Sequence, residues 1–165
     1  MTELTHSELC LIAEKFLKRN GFGVVFHDRY QATIETGEQP DAIGFKNNVS
    51  LLIECKTSRS DFFADKKKKF RVNQNLGMGD WRFYLCSPDV IRVEDLPEGW
   101  GLLYAHGNRV RKIHGYPTNA ELINNKPFAG NKRAECDFLY GALRRMVIRG
   151  HFDDIYINCK VKQVK

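Results

Sequence analysis

QPDAIGFKNNVSLLIECKTSRSDF, residues 39–62, contains the most clearly defined strand of the chain. Its segment VSLLIECKT combines apolar and β-branched residues, as is typical of a strand inside a sheet. Glu54 and Lys56 lie two residues apart near the end of this strand. Because side chains alternate along a strand, both project from the same face, about 7 Å apart. A charge beside a buried strand needs a partner or a metal ion, so this end of the strand is a candidate functional site.

The flanking segments predict an α/β fold. Residues 5–19 carry apolar side chains at helical spacing and are followed by the stop signal Asn20-Gly21. Residues 60–71 fit a short helix capped by Ser60 or Asp61, and residues 133–150 fit a closing helix with one apolar face. Strands are predicted for 23–30, 32–39, 81–87, 101–106 and 109–116. This order predicts a central mixed β-sheet flanked by helices.

Length and composition are those of one folded domain, 1–165. The chain has 42% apolar and 28% charged residues, which is ordinary for a globular protein. It has no apolar run of the roughly 20 residues that would span a bilayer. The start MTELTHSEL lacks the basic and apolar segments of a signal peptide, so we expect a cytoplasmic protein, in a bacterial or phage-infected cell.

The cysteines, the histidines and the net charge narrow the classes of partner. Five scattered cysteines without a C-x-x-C pair argue against a disulfide framework or a cysteine-rich zinc site. The five histidines have no metal-ligand spacing such as H-x-x-x-H. Cys10, Cys55 and Cys86 are expected to pack as small core residues. A net charge of +6 favours a polyanionic partner such as nucleic acid.

Asp41 can bring a second carboxylate to Glu54 if residues 39–46 form the neighbouring strand or its bend. Two carboxylates and a carbonyl oxygen suit Mg²⁺ or Mn²⁺. Such an ion binds a phosphate and activates a water molecule, while Lys56 can orient or deprotonate that water and neutralise developing charge. The alternative is an ion pair between Glu54 and Lys56, which stabilises little unless it is buried.

Pro40-Asp41, followed thirteen residues later by Glu54-Cys55-Lys56, resembles the signature of the PD-(D/E)XK nuclease superfamily. The runs IECKTSRSDFFADKKKKFR, WRFYLCSPDVI and DLPEGWGLLYA are similar to small bacterial and phage members of it, including the MmcB-like DNA-repair proteins. The resemblance covers roughly residues 5–115, and the extension 116–165 resembles nothing we recognise. It implies a restriction-endonuclease-like fold with an αβββαβ core.

The resemblance also implies roles for individual residues. Asp41 and Glu54 become ligands of Mg²⁺, for which Mn²⁺ can substitute, and the backbone carbonyl of Cys55 becomes a further ligand. Lys56 becomes the catalytic lysine. Many members carry an acidic residue on the first helix, and the candidates here are Glu8 and Glu14. Glu8 is favoured because it lies at the edge of the apolar helix face, whereas Glu14 lies opposite that face. Equally, Thr5 and Glu8 fit a capping box that begins the helix, and one residue can serve both purposes.

A basic segment follows the strand and is expected to contact the nucleic-acid backbone, DNA or alternatively RNA. Its candidate residues are Ser58, Arg59, Lys66, Lys67, Lys68, Lys69 and Arg71. A run of lysines can equally be a solvated helix face. A homodimer is one expected arrangement. Two functions remain as alternatives to cleavage: a nucleic-acid-binding module of the same fold, and a protein-interaction module such as a phage inhibitor, with its surface in 116–165.

Overall fold

The computed structural model describes residues 4–157, which form six β-strands and five α-helices. In chain order these are α1 His6–Arg19, β1 Val24–His27, β2 Ala42–Lys46, β3 Val49–Lys56, α2 Arg59–Asp65, α3 Lys69–Val72, β4 Trp81–Cys86, β5 Gly101–His106, β6 Arg109–His114, α4 Asn119–Asn124 and α5 Lys132–Ile148. Within this described part, no helix is both long enough and apolar enough to cross a membrane.

The six strands form one mixed sheet in the order β1-β2-β3-β4-β5-β6. β1, β2 and β3 pair antiparallel, β3, β4 and β5 pair parallel, and β6 returns antiparallel to β5. Parallel neighbours need a crossover, and α2 and α3 lie in the connection between β3 and β4. The predicted α/β class with a central mixed sheet is therefore confirmed.

β3 lies in the middle of the sheet and is buried on both faces. On one face, Leu51, Ile53 and Cys55 belong to the core that includes residues of α1 and α4. On the other face, Leu52 belongs to a second core that includes residues of α2 and α5. The predicted alternation of the strand is confirmed, and both of its faces contribute to a hydrophobic core.

Residues 32–39, predicted as a strand, form a closed loop instead. The Gln39 side chain accepts a hydrogen bond from the Ala32 amide at 3.2 Å and donates one to the Ala32 carbonyl at 2.5 Å. Gly37 has a φ of +74°, a left-handed conformation that glycine adopts without strain. The Gln39 amide thus satisfies backbone groups that a neighbouring strand would otherwise pair, and the alternating pattern misled the prediction.

The single helix predicted for 60–71 is also wrong, because the chain forms two short helices. Ser58, rather than Ser60 or Asp61, caps α2: its hydroxyl accepts a hydrogen bond from the Asp61 amide at 3.2 Å. Lys68 has an extended backbone and precedes α3. In a continuous helix Lys66 would face Lys69, and Lys67 would face Arg71, so like-charge repulsion disfavours it. The break turns Arg71 into the protein.

The C-terminal segment is tied to the sheet by a buried polar network, which we call the Asp80 network. The Asp80 carboxylate accepts hydrogen bonds from the Ser50 amide at 3.1 Å, the Gly130 amide at 3.1 Å and the Lys132 ammonium at 2.7 Å. The Ser50 hydroxyl donates to Glu135 at 2.6 Å. Residues 130–135 therefore complete the hydrogen bonding of β3 and of the entry to β4.

The apolar face predicted for the closing helix is buried only in its first half. Phe138 is buried in the core, whereas Leu143 and Met146 are exposed. Tyr30 holds the first half of α5 against the protein: its hydroxyl donates a hydrogen bond to the Phe138 carbonyl at 2.6 Å, and its ring packs on the Phe138 ring. The second half of α5 extends beyond these contacts.

Candidate functional site

Glu54 and Lys56 lie at the C-terminal end of β3 with only 2% and 3% of their surfaces exposed. The Lys56 ammonium is 3.5 Å from Oε2 of Glu54. The two side chains share a face of the sheet, as the alternation predicted. Because a lone buried charge is costly, the groups that surround this pair determine its chemistry.

Arg71 is the central cation of this cluster. Its Nε lies 3.0 Å from Oδ2 of Asp65, and its Nη2 lies 3.0 Å from Oε1 of Glu54. Its Nη1 forms an ion pair with Glu38, whose other carboxylate oxygen accepts the Met78 amide at 2.6 Å. The sequence had predicted that Arg71 contacts nucleic acid. Arg71 is buried instead and does not lie on a surface that could face nucleic acid. It instead joins three acids that are far apart in the sequence.

Asp65 at the end of α2 is the second carboxylate that Lys56 contacts. Its Oδ1 lies 3.5 Å from the Lys56 ammonium and 2.8 Å from that of Lys68. The Tyr84 hydroxyl donates a hydrogen bond to Oδ2 of Asp65 at 3.0 Å. Lys56 is therefore held between Glu54 and Asp65, one acid from β3 and one from the helix that follows it.

Asp41 precedes β2 and reaches the same end of β3. Its Oδ2 accepts a hydrogen bond from the backbone amide of Cys55 at 2.7 Å. Its Oδ1 lies 3.2 Å from Nε2 of His6, at the start of α1. The Cys55 amide thus fixes Asp41 beside the strand that carries Glu54 and Lys56. The role of the Cys55 carbonyl as a metal ligand stays a prediction.

The pKa values of Glu54 and Asp65 are shifted in opposite directions. Burial raises the pKa of Glu54 to about 7, and the nearby charges of Asp41 and Asp65 add to the rise, although Arg71 and Lys56 oppose it. Burial would also raise the pKa of Asp65, but Arg71, Lys56 and Lys68 outweigh it and hold that pKa at about 2. Glu54 is therefore the carboxyl group that exchanges a proton near neutral pH.

Lys56 keeps its proton in this environment. Burial alone would lower its pKa, but the carboxylates of Glu54 and Asp65 outweigh burial and raise it.

Glu54 has one further feature: its buried Oε1 has no hydrogen-bond partner among residues 4–157, although Arg71 lies at ion-pair distance. Nη2 of Arg71 is likewise without a hydrogen-bond partner in this part of the chain, so the two charged atoms face each other at 3.0 Å without an aligned hydrogen bond.

Glu8 takes the capping role that the sequence left open. Its carboxylate accepts hydrogen bonds from the Thr5 amide and the Thr5 hydroxyl, both at 2.8 Å, and its own amide donates to Thr5. The side chain is exposed. On the same helix, His6 is the residue that contacts Asp41. A catalytic role for Glu8 stays a prediction.

The other predicted nucleic-acid contacts differ in their surroundings. Arg59 forms a double hydrogen bond with the Asp95 carboxylate at 2.8 and 3.0 Å, and Lys66 donates to the Asp95 carbonyl at 3.1 Å. Ser58 caps α2, Lys68 contacts Asp65, and Arg71 is buried. Lys67 and Lys69 are exposed, and their ammonium groups have no ion-pair partner in the described part of the chain. Within the predicted set, Lys67 and Lys69 are therefore the lysines whose ammonium groups are exposed to solvent and not engaged in an ion pair in the described part of the chain.

Sequence reasoning missed Glu38, Asp65, Tyr84 and His6 as members of the site. Glu38 sits in the loop that had been predicted as a strand, and Asp65 sits in a run dominated by lysines. Tyr84 lies in a strand in which every residue is buried, so the sequence pattern does not distinguish it from an ordinary core residue. The one usable signal was acidic residues flanking a basic run, because a buried arginine needs several carboxylates.

Comparison of the chain with protein-family models, with curated proteins and with solved structures returned no match. Membership of the PD-(D/E)XK superfamily therefore rests on the motif resemblance and stays a prediction.

Proposed function

We propose that this protein is a metal-dependent nuclease of the restriction-endonuclease-like fold that hydrolyses phosphodiester bonds in DNA. The observation that carries the proposal is the meeting of Asp41, Glu54 and Lys56 at one end of the sheet, where the Cys55 amide holds Asp41 at 2.7 Å. These residues come from two separate segments, and their types are those that phosphodiester hydrolysis needs.

The donor set fits Mg²⁺, with Mn²⁺ as a substitute. Glu54 presents a buried oxygen without a hydrogen-bond partner among residues 4–157, and burial raises the pKa of Glu54 although Arg71 and Lys56 oppose the rise. Asp41 supplies a second hard oxygen donor, and Mg²⁺ prefers such ligands. When bound, the ion would polarise a phosphate oxygen and acidify a water molecule. Asp41 and Glu54 would hold it.

Lys56 acts as an ammonium group. Since Glu54 and Asp65 raise its pKa, it donates hydrogen bonds rather than removing a proton from water. The sequence left open whether Lys56 orients the attacking water or deprotonates it. A protonated lysine favours orienting the water and neutralising the developing charge over general-base catalysis. Asp65 and Tyr84 position it: the hydroxyl of Tyr84 holds the carboxylate that faces the lysine.

Substrate must reach side chains that are almost fully buried. Asp65 and Arg71, from the α2–α3 segment, contact Glu54 and Lys56, so this segment covers the cluster. Cleavage therefore requires α2 and α3 to shift when DNA binds. The exposed lysines Lys67 and Lys69 lie in the same segment and would meet the DNA backbone.

The test is a cleavage assay on linear, nicked, branched and single-stranded DNA and on RNA, with Mg²⁺, Mn²⁺ or EDTA. Lys56→Met keeps the length of the buried side chain, and Lys15→Met is the matched control, because Lys15 is an exposed lysine on α1 outside the proposed DNA contacts. We expect cleavage that EDTA abolishes, a loss of about 10²-fold or more in Lys56→Met, and an unchanged rate in the control.

Asp41→Asn serves as a second variant, because Lys56→Met removes a buried charge and can impair folding. Both variants are compared with wild type by circular dichroism before assay. Cleavage by folded Lys56→Met or Asp41→Asn at the wild-type rate would contradict the catalytic assignment. No cleavage of any substrate by wild type would contradict the nuclease proposal.

The burial of Glu54 and Lys56 favours a second candidate, a module that binds nucleic acid without cutting it. In this conformation the acids and bases of the cluster lie at ion-pair distance from one another, as in a structural ion network. A gel shift without cleavage would support it. Replacing Lys67 and Lys69 by alanine should then weaken binding equally for all sequences, and reduce the salt dependence by about one counterion for each lysine.

Exposed apolar residues in the C-terminal region favour a protein-interaction role as a third candidate. Leu143 and Val147 are one helical turn apart on α5 and are 50% and 41% exposed, and neighbouring exposed apolar side chains are typical of interaction surfaces. The homodimer expected from the sequence is tested by light scattering: twice the chain mass of 19.1 kDa supports it, and the monomer mass contradicts it.

A further inference from the structure

A second cluster of metal-ligating side chains lies on the α1 side of Asp41. His6 and Cys10 are one helical turn apart on α1, and both approach Asp41 from the loop before β2. One ligand atom from each of the three residues lies within 4.8 Å of the other two. Within residues 4–157, this is the one such group of three or more histidine, cysteine or acidic residues.

Two of the three distances between the ligand atoms are close to the edges of a tetrahedral zinc site. With Zn–S of about 2.3 Å and Zn–N and Zn–O of about 2.0–2.2 Å, tetrahedral ligands lie about 3.6 Å (S to N) and about 3.4 Å (N to O) apart. Nε2 of His6 lies 3.9 Å from Sγ of Cys10 and 3.2 Å from Oδ1 of Asp41. Sγ of Cys10 lies closer to Nδ1 of His6, at 3.6 Å, than to Nε2. The imidazole must therefore turn for Nε2 to point at an ion shared with Cys10 and Asp41, and the sulfur and the carboxylate oxygen, which lie within 4.8 Å of each other, must approach.

We propose that His6, Cys10 and Asp41 form a binding site for a transition-metal ion of the zinc class. One imidazole, one thiolate and one carboxylate suit Zn²⁺ or Co²⁺, whereas Mg²⁺ binds oxygen ligands. The site therefore differs in metal preference from the Asp41–Glu54 pair. The spacing rules applied to the sequence found no such site, because the third ligand is distant in the chain.

The surroundings separate this assignment from a catalytic cysteine. Cys10, His6 and Asp41 also have the order of a cysteine–histidine–aspartate triad, with Sγ of Cys10 3.6 Å from Nδ1 of His6. Cys10 is fully buried, however, so a substrate does not reach its sulfur. The His6 side chain is 44% exposed, which gives a small ion and one coordinating water a route. Binding converts the Cys10 thiol to thiolate and releases its proton to solvent.

Asp41 belongs to both sites, so a zinc-class ion would compete with the magnesium ion of the proposed nuclease. This consequence depends on the proposed function, although metal binding itself does not. With Asp41 bound to zinc through one oxygen, the hydrolytic centre loses a ligand. The inferred regulation is inhibition by zinc-class ions, in which His6 and Cys10 are the residues that distinguish the inhibitory ion from Mg²⁺.

The binding test is a Co²⁺ titration of the full-length, reduced protein, followed by its absorption spectrum, with Zn²⁺ added afterwards to displace Co²⁺. We expect one Co²⁺ per chain, a thiolate-to-cobalt charge-transfer band, and the intense visible bands of tetrahedral Co²⁺. Cys10→Ala should lose the charge-transfer band, and His6→Ala should weaken affinity about tenfold or more. The matched control is Cys136→Ala/Cys159→Ala, which removes two other thiols, and His106→Ala is the control for histidine.

A thiolate band that is missing in wild type, survives in Cys10→Ala, or disappears in the Cys136→Ala/Cys159→Ala control overturns the proposal. His6→Ala lies at a partly exposed position, so it tests the site even if Cys10→Ala fails to fold. The regulatory step is measured as the ratio of cleavage rates with and without Zn²⁺ for each protein. The ratio should be well below one for wild type and near one for His6→Ala. If wild type cleaves nothing, the Co²⁺ spectra still decide the metal site.

Discussion

Glu54→Gln should make the protein more stable at neutral pH. Burial raises the pKa of Glu54 from its ordinary 4.5 to about 7. At about 1.36 kcal/mol per pH unit, that difference corresponds to about 3 kcal/mol. Glutamine keeps the shape of the side chain but never ionises. The substitution therefore removes an ionisation that disfavours the folded state.

The sign follows from where the proton binds. Between pH 4.5 and about 7, the unfolded chain loses the Glu54 proton while the folded protein retains it. The folded wild type binds more protons there, so its free energy of unfolding falls as the pH rises. The variant lacks this loss. Its stability relative to wild type should increase through that window and level off above about pH 7, having gained about 3 kcal/mol.

The assay is urea-induced unfolding of both proteins by circular dichroism across the pH range, because the free-energy difference cancels carboxyl groups common to both. Asp65→Asn is the matched control with the opposite sign. The pKa of Asp65 is held at about 2, below its ordinary 3.8, so its carboxylate contributes about 2 kcal/mol above pH 3.8, lost as the pH falls through 2. Asp65→Asn should therefore be less stable by about this amount, without pH dependence near neutrality.

A constant difference between Glu54→Gln and wild type across this range would refute the reasoning. It would mean that the Glu54 carboxyl has the same pKa in the folded and unfolded states, and that Arg71 and Lys56 compensate its charge fully.

Three further outcomes follow from the same contacts. Tyr84→Phe removes the hydroxyl that donates to Asp65 and should lower the free energy of unfolding by about 1 kcal/mol, measured by urea unfolding. Arg71→Met leaves three buried acids without their shared cation and should cost about 3–5 kcal/mol, against about 0.5 or less for the exposed control Arg109→Met; equal effects would contradict the central role of Arg71. Mg²⁺ at about 100 times its Kd should stabilise the protein by about 2.7 kcal/mol at alkaline pH and by less below pH 7, where protons compete for Glu54, as measured by thermal unfolding; stabilisation that is independent of pH, or retained in Glu54→Gln, would contradict Glu54 as its ligand.

Local patterns predicted the parts of the fold and site that depend on neighbouring residues. The alternation of β3 placed Glu54 and Lys56 on one face, and the Thr5–Glu8 spacing indicated the helix cap. The sequence predicted a mixed sheet but neither the order nor the register of its strands, because register depends on contacts between distant segments. The loop at 32–39 shows the limit: its residues alternate like a strand, yet the Gln39 side chain closes it on Ala32.

The rest of the site depends on tertiary contacts that no spacing reports. Glu38, Asp65 and Arg71 meet because the α2–α3 break turns Arg71 inward, and the lysine run that surrounds them indicated a solvated surface. His6 contacts Asp41 across a separation of thirty-five residues. The distribution of charges within the 60–71 segment therefore identified its basic residues, but it did not distinguish the buried Arg71 from the exposed lysines.

The Asp80 network bears on how this protein can evolve. The recognisable motifs end near residue 115, yet the buried carboxylate of Asp80 and the hydroxyl of Ser50 are satisfied by Gly130, Lys132 and Glu135. A recombination event that exchanged the tail while keeping the motif-bearing part would leave Oδ1 of Asp80 and the hydroxyl hydrogen of Ser50 without these partners inside the protein, at a cost of about 1–3 kcal/mol each. Inheritance should therefore keep the two parts together, so the heritable unit is longer than the segment in which the sequence motifs lie.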